Sequence, residues 1–419
     1  MKLELLTVGT ELLLGFTVDT NGAEIARALA SIGVEVARRT SVGDDRAAIQ
    51  DALGAALDRT GTVLVTGGLG PTRDDITKHA VADLLGLPLD FHDEIWQGLL
   101  ERFRSLGREP SMTNRSQAEV PRGGTVLRNR WGTAPGLWLD SPRGLVIMLP
   151  GVPIEMRNLL AHEVLPRLAP RGANRVVRSL TVRTTSIPES TLAERLGDIE
   201  NAVRPLGLAY LPGLEGVDLR LTSWGAGEAE SDVRLAAAAE ELRRRAGDHV
   251  YGEGEETLAG IVVGLLRETG WTIGVAESCT GGLLGGRLTD VAGSSDVFLG
   301  GIIAYDNTVK VRELDVPEEM LRQHGAVSEP VAAAMAEGVR RRLSVNIGVG
   351  ITGIAGPGGG TPDKPVGTVC LAVAGPADTW PRRTIFPGSR PEVRARAVQA
   401  ALFMVRQRLL LAQGTSGPA

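Results

Sequence analysis

The segment Ala276-Glu277-Ser278-Cys279-Thr280-Gly281-Gly282 sets a serine, a cysteine and a threonine side by side before two glycines. An apolar, β-branched run from Trp271 to Val275 precedes it and reads as a buried strand. Leu283, Leu284, Leu288 and Val291 follow at helical spacing. Ser278 is therefore expected where a strand turns into a helix, with the glycines letting the backbone approach a ligand closely. Such a turn offers free N–H groups and the positive end of a helix dipole, both suited to a developing oxyanion or a phosphate. Taken alone, the stretch is better read as a helix cap made by Ser278 or Thr280.

A serine attacks a carbonyl only when a base takes its proton. The histidines (His79, His92, His162, His249, His324) are scattered, and none lies at a suggestive position. Lys310 is the better candidate, because partial burial lowers the pKa of an ammonium until it can act as a base. Tyr305 could orient that amine or relay a proton. Both follow the apolar strand Gly300–Ala304. A further strand, Ile347–Ile351, runs into Thr352, Gly353 and a glycine-rich loop reaching Gly360, a row of N–H donors. Arg390 offers a bidentate phosphate clamp. Each has a plainer reading: Tyr305 at a core edge, Lys310 on a solvated helix, Arg390 as a helix-start charge. Three strand ends that deliver a serine, a tyrosine–lysine pair and a glycine-rich loop argue for one site.

A second constellation follows the strand Val63–Val65: Gly67, Gly68, Gly70, Thr72, Asp74 and Asp75 within one loop. Glycine-rich loops at the carboxyl ends of parallel strands are where open α/β sheets bind ligands. Their N–H groups cradle phosphate, while Asp74 and Asp75 offer oxygen ligands to a hard divalent cation. The plainer reading is that the two carboxylates favour a first helical turn. Glu155, at a later helix start, could face the same crevice or serve only that helix.

The elements that must position these residues fall into three segments. Residues 1–170 open with strands at Leu3–Val8, Val34–Val36 and Thr62–Thr66, and helices after Asp19 and over Arg46–Leu57. Asn21 with Glu24 resembles a capping box. This β-α-β-α-β order implies a parallel sheet with crossover helices. Pro170–Asn174 reads as a boundary loop. Residues 175–252 read strand-helix-strand-strand-helix, with strands at Val176–Thr184, Leu208–Leu211 and Val217–Thr222. Tyr251–Glu255 reads as a linker, residues 255–412 as an α/β domain, and Gln413–Ala419 as a frayed tail.

The 419 residues carry 43% hydrophobic and 23% charged side chains, ordinary for a soluble globular protein. A net charge of −5 leaves no broad basic field, which argues against a dedicated nucleic-acid binder. Cys279 and Cys370 are the only cysteines, so neither a disulfide framework nor a thiolate zinc site is available. No apolar run approaches the ~20 residues that span a bilayer. No membrane partner is expected, and a cytoplasmic location is. A homodimer is the expected assembly, since symmetric dimers dominate soluble oligomers.

Gly9–Gly15, Asp19-Thr20-Asn21, the Gly67–Thr77 loop, Gly132–Gly136 and Leu149–Met156 together resemble the molybdopterin-binding-like N-terminal domain of the CinA family. That resemblance implies a MogA/MoaB-like α/β/α sandwich with metal-dependent hydrolysis of ADP-ribose, Asp74, Asp75 and Glu155 being the metal candidates. Asp19, Asn21, Gly67, Gly68, Gly70 and Thr72 would meet the substrate. The same class of motif also serves molybdopterin adenylyl transfer, so a pterin or another nucleotide stays open. The middle segment looks like a small α+β KH-like domain. Its Gly213-Leu214-Glu215-Gly216 has the G-x-x-G form of a nucleic-acid loop, but Glu215 would repel a phosphate backbone. A structural or dimer-forming role is the expectation there.

From about Glu255 to Leu411 the chain closely resembles the CinA C-terminal domain, known alone as nicotinamide-nucleotide amidase. The shared motifs are Ala276–Gly282, Ala292–Ser295, Tyr305/Asn307/Lys310, His324–Ser328, Thr352–Pro357, Lys364–Val369 and Phe386–Arg390. The resemblance implies deamidation of nicotinamide mononucleotide to nicotinic acid mononucleotide and ammonia, with no cofactor. Ser278 would attack, Lys310 aided by Tyr305 would take its proton, and Thr280, Gly281, Thr352, Gly353 and Arg390 would meet the substrate. A regulatory protein of DNA uptake or damage response, as the family's name suggests, is the remaining alternative.

Overall fold

The computed structural model describes residues 1–172 and 176–414. The expected boundary loop is described as far as Gly172; its remainder and residues 415–419 of the expected tail lie outside the described residues. Two compact units form: Met1–Arg178 with Ser223–Val233, and Ser179–Thr222 with Arg234 onward.

In the first unit, β1 (Lys2–Val8), α1 (Thr20–Ser31), β2 (Glu35–Val42), α2 (Arg46–Thr60) and β3 (Thr62–Thr66) follow the expected order, and the strands pair in parallel. Alternate residues of strands buried on both faces feed two cores. Leu3, Leu5 and Leu64 pack with Ile25 and Leu29 of α1, whereas Leu6, Val8, Val63 and Val65 pack with Ile49 and Leu53 of α2. α3 (Thr77–Leu85) and α4 (Asp93–Ser105) come next. Then β4 (Thr125–Leu127), β5 (Gly136–Ser141) and β6 (Gly144–Leu149) complete a six-stranded sheet, ordered β2-β1-β3-β6-β5-β4, ahead of α5 (Pro153–Leu159). β6 lies parallel to β3, but β5 and β4 run antiparallel. The parallel sheet is thus extended by antiparallel strands, because the turn between Ser141 and Gly144 is too short for a crossover. The cap of α1 also departs from expectation. Asp19, not Asn21, accepts the Gly22 N–H at 2.8 Å, and Glu24 pairs with Arg157 instead.

The middle segment holds β7 (Val176–Thr184), α6 (Glu189–Leu196), β8 (Gly207–Pro212), β9 (Val217–Ala226), α7 (Glu228–Ala246) and β10 (Val250–Glu253), with sheet order β8-β9-β7-β10. The expected linker at Tyr251–Glu255 is therefore mostly strand. Its physical reason is burial: Val250 enters the core of the middle segment, and Tyr251 enters that of the following one.

The C-terminal segment holds α8 (Leu258–Thr269), β11 (Ile273–Glu277), α9 (Leu283–Thr289), β12 (Phe298–Ile303), α10 (Asn307–Leu314), α11 (Glu329–Arg342), β13 (Ile347–Gly353), β14 (Thr368–Ala374), β15 (Thr379–Ile385) and α12 (Arg390–Gly414). The sheet order is β12-β11-β13-β14-β15. β15 has polar, largely exposed residues and gives no buried-strand signal. Ile273, Val275, Val349 and Ile351 pack against α8 and α12, while Ala276 faces Val331, Met335 and Val339 of α11. Gly348 and Gly350 let α11 lie close on the sheet: a Cβ at either would stand about 2.1–2.2 Å from a carbonyl oxygen of that helix.

Candidate active site

β12, β11 and β13 are parallel, and Glu277 pairs with both Ile303 and Ile351. Ser278, Tyr305 and Thr352 consequently lie together at the carboxyl ends of these three strands. The fold thereby gathers the groups that sequence had placed after three separate strands.

The turn after β11 can be followed hydrogen bond by hydrogen bond, since buried backbone groups are nearly always paired. Ser278 N–H donates to Ile351 O at 2.9 Å, and Gly281 N–H to Ser278 O at 3.1 Å. The buried Glu277 carboxylate accepts from Gly282, Leu284 and Gly285 at 2.9–3.1 Å. The expected cap by Ser278 or Thr280 is therefore absent: Glu277 does that work. This also changes the expected anion site, because a carboxylate already occupies the helix end. Among the described residues the Thr280 N–H has no protein acceptor, and the Cys279 N–H meets only its own side chain. Gly281 and Gly282 have φ of +59° and +94°, which residues with a Cβ rarely adopt.

Ser278 is 8% exposed. Its neighbour Cys279 is the obvious rival nucleophile, but burial pushes that thiol up to about 12, so it stays protonated near neutrality. Its Sγ packs against Gly353, where a Cβ would stand 3.0 Å away. Lys310, on α10, is 1% exposed, which overturns the solvated-helix reading. Desolvation pushes its pKa below the ordinary lysine value, opposed by the charge of Asp306 and the Cys279 side chain. Lys310 Nζ donates to the backbone carbonyl of Tyr305 at 3.1 Å. Among the described residues no hydrogen bond joins it to Ser278.

Tyr305 acts on the lysine through its carbonyl rather than its ring. The exposed phenol instead accepts from Arg390 Nη2 at 3.0 Å, and Arg390 Nη1 donates to Gly356 O at 2.8 Å. Arg390 so ties the tyrosine to the Thr352–Gly360 loop. The Thr352 hydroxyl is committed to Ala326 O at 2.8 Å. Thr280 is fully buried, and among the described residues its hydroxyl has no partner. Two residues of this site escaped the sequence reading. Glu277 is the first, and Arg394, donating to Thr280 O at 2.7 Å, is the second. The available signal for Arg394 was an arginine one helical turn beyond Arg390.

In the first unit, a cavity of about 140 Å³ lies at the carboxyl ends of β1 and β3, lined in part by Asp19, Asn21, Gly67 and Gly151. Asn21 Nδ2 donates to Gly151 O at 2.8 Å, while its buried Oδ1 has no partner among the described residues. Gly67, at φ +106°, comes so close to β1 that a Cβ would stand 2.2 Å from Val8 O. The rest of the glycine-rich loop does not line this cavity. Asp75 accepts the N–H of Thr72 at 2.8 Å and also its hydroxyl, and it packs on Gly70, while Gly68 packs on Thr77. Glu155 accepts from Asn129 Nδ2 at 2.6 Å and lies against Gly132, with its pKa raised by desolvation. Among the described residues, no group of three or more His, Cys, Asp or Glu is placed to hold a metal. The expected set Asp74, Asp75 and Glu155 is not such a group: Asp75 is engaged by Thr72 and Glu155 by Asn129. A larger cavity of about 830 Å³, unanticipated from the sequence, lies between α4 and residues 126–135.

The G-x-x-G loop of the middle segment is also engaged. Glu215 pairs with Arg183 at 3.4 Å and with Arg287 of α9 at 3.1 Å. Among the described residues, no helix is long and apolar enough to cross a membrane.

These features can be set beside known proteins. Residues 4–170 match the family described as probable molybdopterin binding domain, residues 179–252 the damage-inducible protein CinA KH domain, and residues 255–409 the CinA C-terminal domain. A CinA-like protein of Gemmatimonas aurantiaca is 51% identical over 411 residues, covering 97% of this chain and 96% of that protein. The chain belongs to the CinA family. A CinA-like protein of Salinibacter ruber is 42% identical, with 98% and 100% of the two chains covered. The crystal structure of a competence/damage inducible protein from Agrobacterium tumefaciens is 40% identical. It covers 38% of this chain and 93% of its own, with a TM-score of 0.35. Membership carries the three-part layout: a MogA/MoaB-like domain, a KH domain and the CinA C-terminal domain.

Proposed function

We propose that the C-terminal segment is a hydrolase that deamidates nicotinamide mononucleotide to nicotinic acid mononucleotide and ammonia. The observation that carries this reading is the Ser278 turn, with a hydroxyl nucleophile beside the N–H groups of Cys279 and Thr280 and near a desolvated lysine. Ser278 Oγ attacks the carboxamide carbon while Lys310, in its neutral form, accepts the hydroxyl proton. The N–H groups of Cys279 and Thr280 take the charge developing on the carbonyl oxygen. Collapse of the adduct expels ammonia after protonation by the Lys310 ammonium, and water then hydrolyses the ester on Ser278. Arg390 holds the phosphate of the substrate. Ammonia release by the full-length protein, insensitive to EDTA and absent in Ser278→Ala, is the expected result. No release by folded wild-type protein would overturn the reading.

For the first unit we propose nucleotide binding in the cavity of Asp19, Asn21 and Gly67. Its support is the unpartnered Asn21 Oδ1 beside glycines that bring the backbone close. Hydrolysis of the ADP-ribose diphosphate is the activity to assay there, with and without added divalent cations. The regulatory reading, through nucleic-acid contact, has less support because Glu215 puts an engaged carboxylate where a KH loop needs open backbone.

A further inference from the structure

Side chains from outside the Ser278 turn brace the segment that directly follows its Cys279 and Thr280 N–H groups. On one side the Glu277 carboxylate gathers three N–H groups, from Gly282, Leu284 and Gly285. On the other, Arg394 reaches across from α12 to the carbonyl of Thr280. Together they fix the peptides that follow Thr280, and the Gly281 N–H bond to Ser278 O ties that segment to the peptide carrying the Cys279 N–H. Without them the turn holds two consecutive glycines at positive φ, the residues with most freedom to rotate.

Arg394 is not placed as a substrate clamp in the manner of Arg390. Arg390 is directed to Tyr305 and Gly356, on the opposite loops. The hydrogen bond of Arg394 is to the nucleophile turn itself, and its Nε is buried with no partner among the described residues. A cation held against the Thr280 carbonyl also favours negative charge building up on that turn.

We infer that Glu277 and Arg394 are positioning residues that hold the Cys279 and Thr280 N–H groups as an oxyanion hole. The inference rests on the amidase reading. Such donors contribute only when they are fixed before the charge appears, since a group that must reorganise loses most of the gain.

The test is steady-state ammonia release from nicotinamide mononucleotide by full-length Arg394→Ala, Arg394→Lys and Glu277→Gln, with Arg390→Ala as comparator. Misplacing the donors by about an ångström predicts a loss in kcat of about 100-fold for Arg394→Ala, at nearly unchanged KM. Arg394→Lys keeps one donor and should recover about tenfold of that loss. Glu277→Gln keeps one acceptor oxygen and should lose about tenfold in kcat at constant KM. Arg390→Ala should instead raise KM. A rise in KM at preserved kcat for Arg394→Ala would make Arg394 a substrate contact and overturn the inference. So would unchanged kinetics. If circular dichroism shows that Arg394→Ala does not fold, Glu277→Gln decides alone: kcat lost at constant KM supports the inference, and unaltered kcat overturns it. Wild-type protein that releases no ammonia is a separate result, which removes the amidase reading and this inference with it.

Discussion

The two constellations legible in the sequence look equally rich, yet they fold to opposite ends. In the N-terminal unit the candidate acids are taken up by neighbours: Asp75 closes on Thr72, three residues back in its own loop, and Glu155 of α5 accepts from Asn129. In the C-terminal turn the acid is consumed too, but Glu277 takes the helix end, and among the described residues neither the Ser278 hydroxyl nor the Thr280 N–H has a hydrogen-bond partner. A carboxylate next to a glycine-rich turn is thus not evidence of a metal ligand. What matters is whether local N–H and hydroxyl donors reach it first, because each hydrogen bond to a charged group is worth about 1.5–3 kcal/mol.

If this contrast is right, substitutions at the C-terminal site abolish ammonia release, whereas those at the N-terminal cavity leave it intact. Ser278→Ala should have the largest effect, a loss in kcat of about 10⁴-fold or more, measured by ammonia release. Retention of activity in that variant would dissolve the comparison. Lys310→Met should cost about 10²- to 10⁴-fold, the usual span for a general base. The pH profile sharpens this. Lys310 must be neutral to accept a proton, and desolvation lowers its pKa from 10.5. kcat/KM should therefore rise with pH along a limb centred below 10.5, and Lys310→Met should lack that limb. Arg390→Ala removes a charged clamp and should raise KM about 10- to 100-fold with a smaller change in kcat. The smallest effect concerns the other unit. Asn21→Ala should weaken ADP-ribose binding about tenfold by calorimetry, with ammonia release unchanged. Equal losses of both would show that the two sites are not separate.

Most of the scaffold was legible because periodicity survives folding. The alternation of Leu3 to Val8 and the strand-turn-helix around Ser278 required only local pattern. Where the reading failed, a tertiary partner had decided. Tyr251 looked like linker because the glycines and glutamates around it dominate the local composition, but it sits at a bulge between the residues that pair with β7, and the C-terminal core buries it to 5% exposure. Asn21 looked like a cap until Asp19 proved to be the residue within reach of Gly22. The strand Thr379–Ile385 was missed because an edge strand with an exposed face carries little apolar signal.

Sequence by itself determined which residues could do chemistry here: Ser278 at a strand end, Lys310 and Tyr305 after the next, Thr352 and Gly353 after a third. These follow from residue type and short-range spacing, which are fixed along the chain. Only the tertiary structure decided how those residues are held. Arg394 meets Thr280 across 114 residues, and Glu277 folds back onto N–H groups that any of three side chains could have capped. Hydrogen-bond partners are chosen by distance and angle in space. Neither quantity is written in the order of residues.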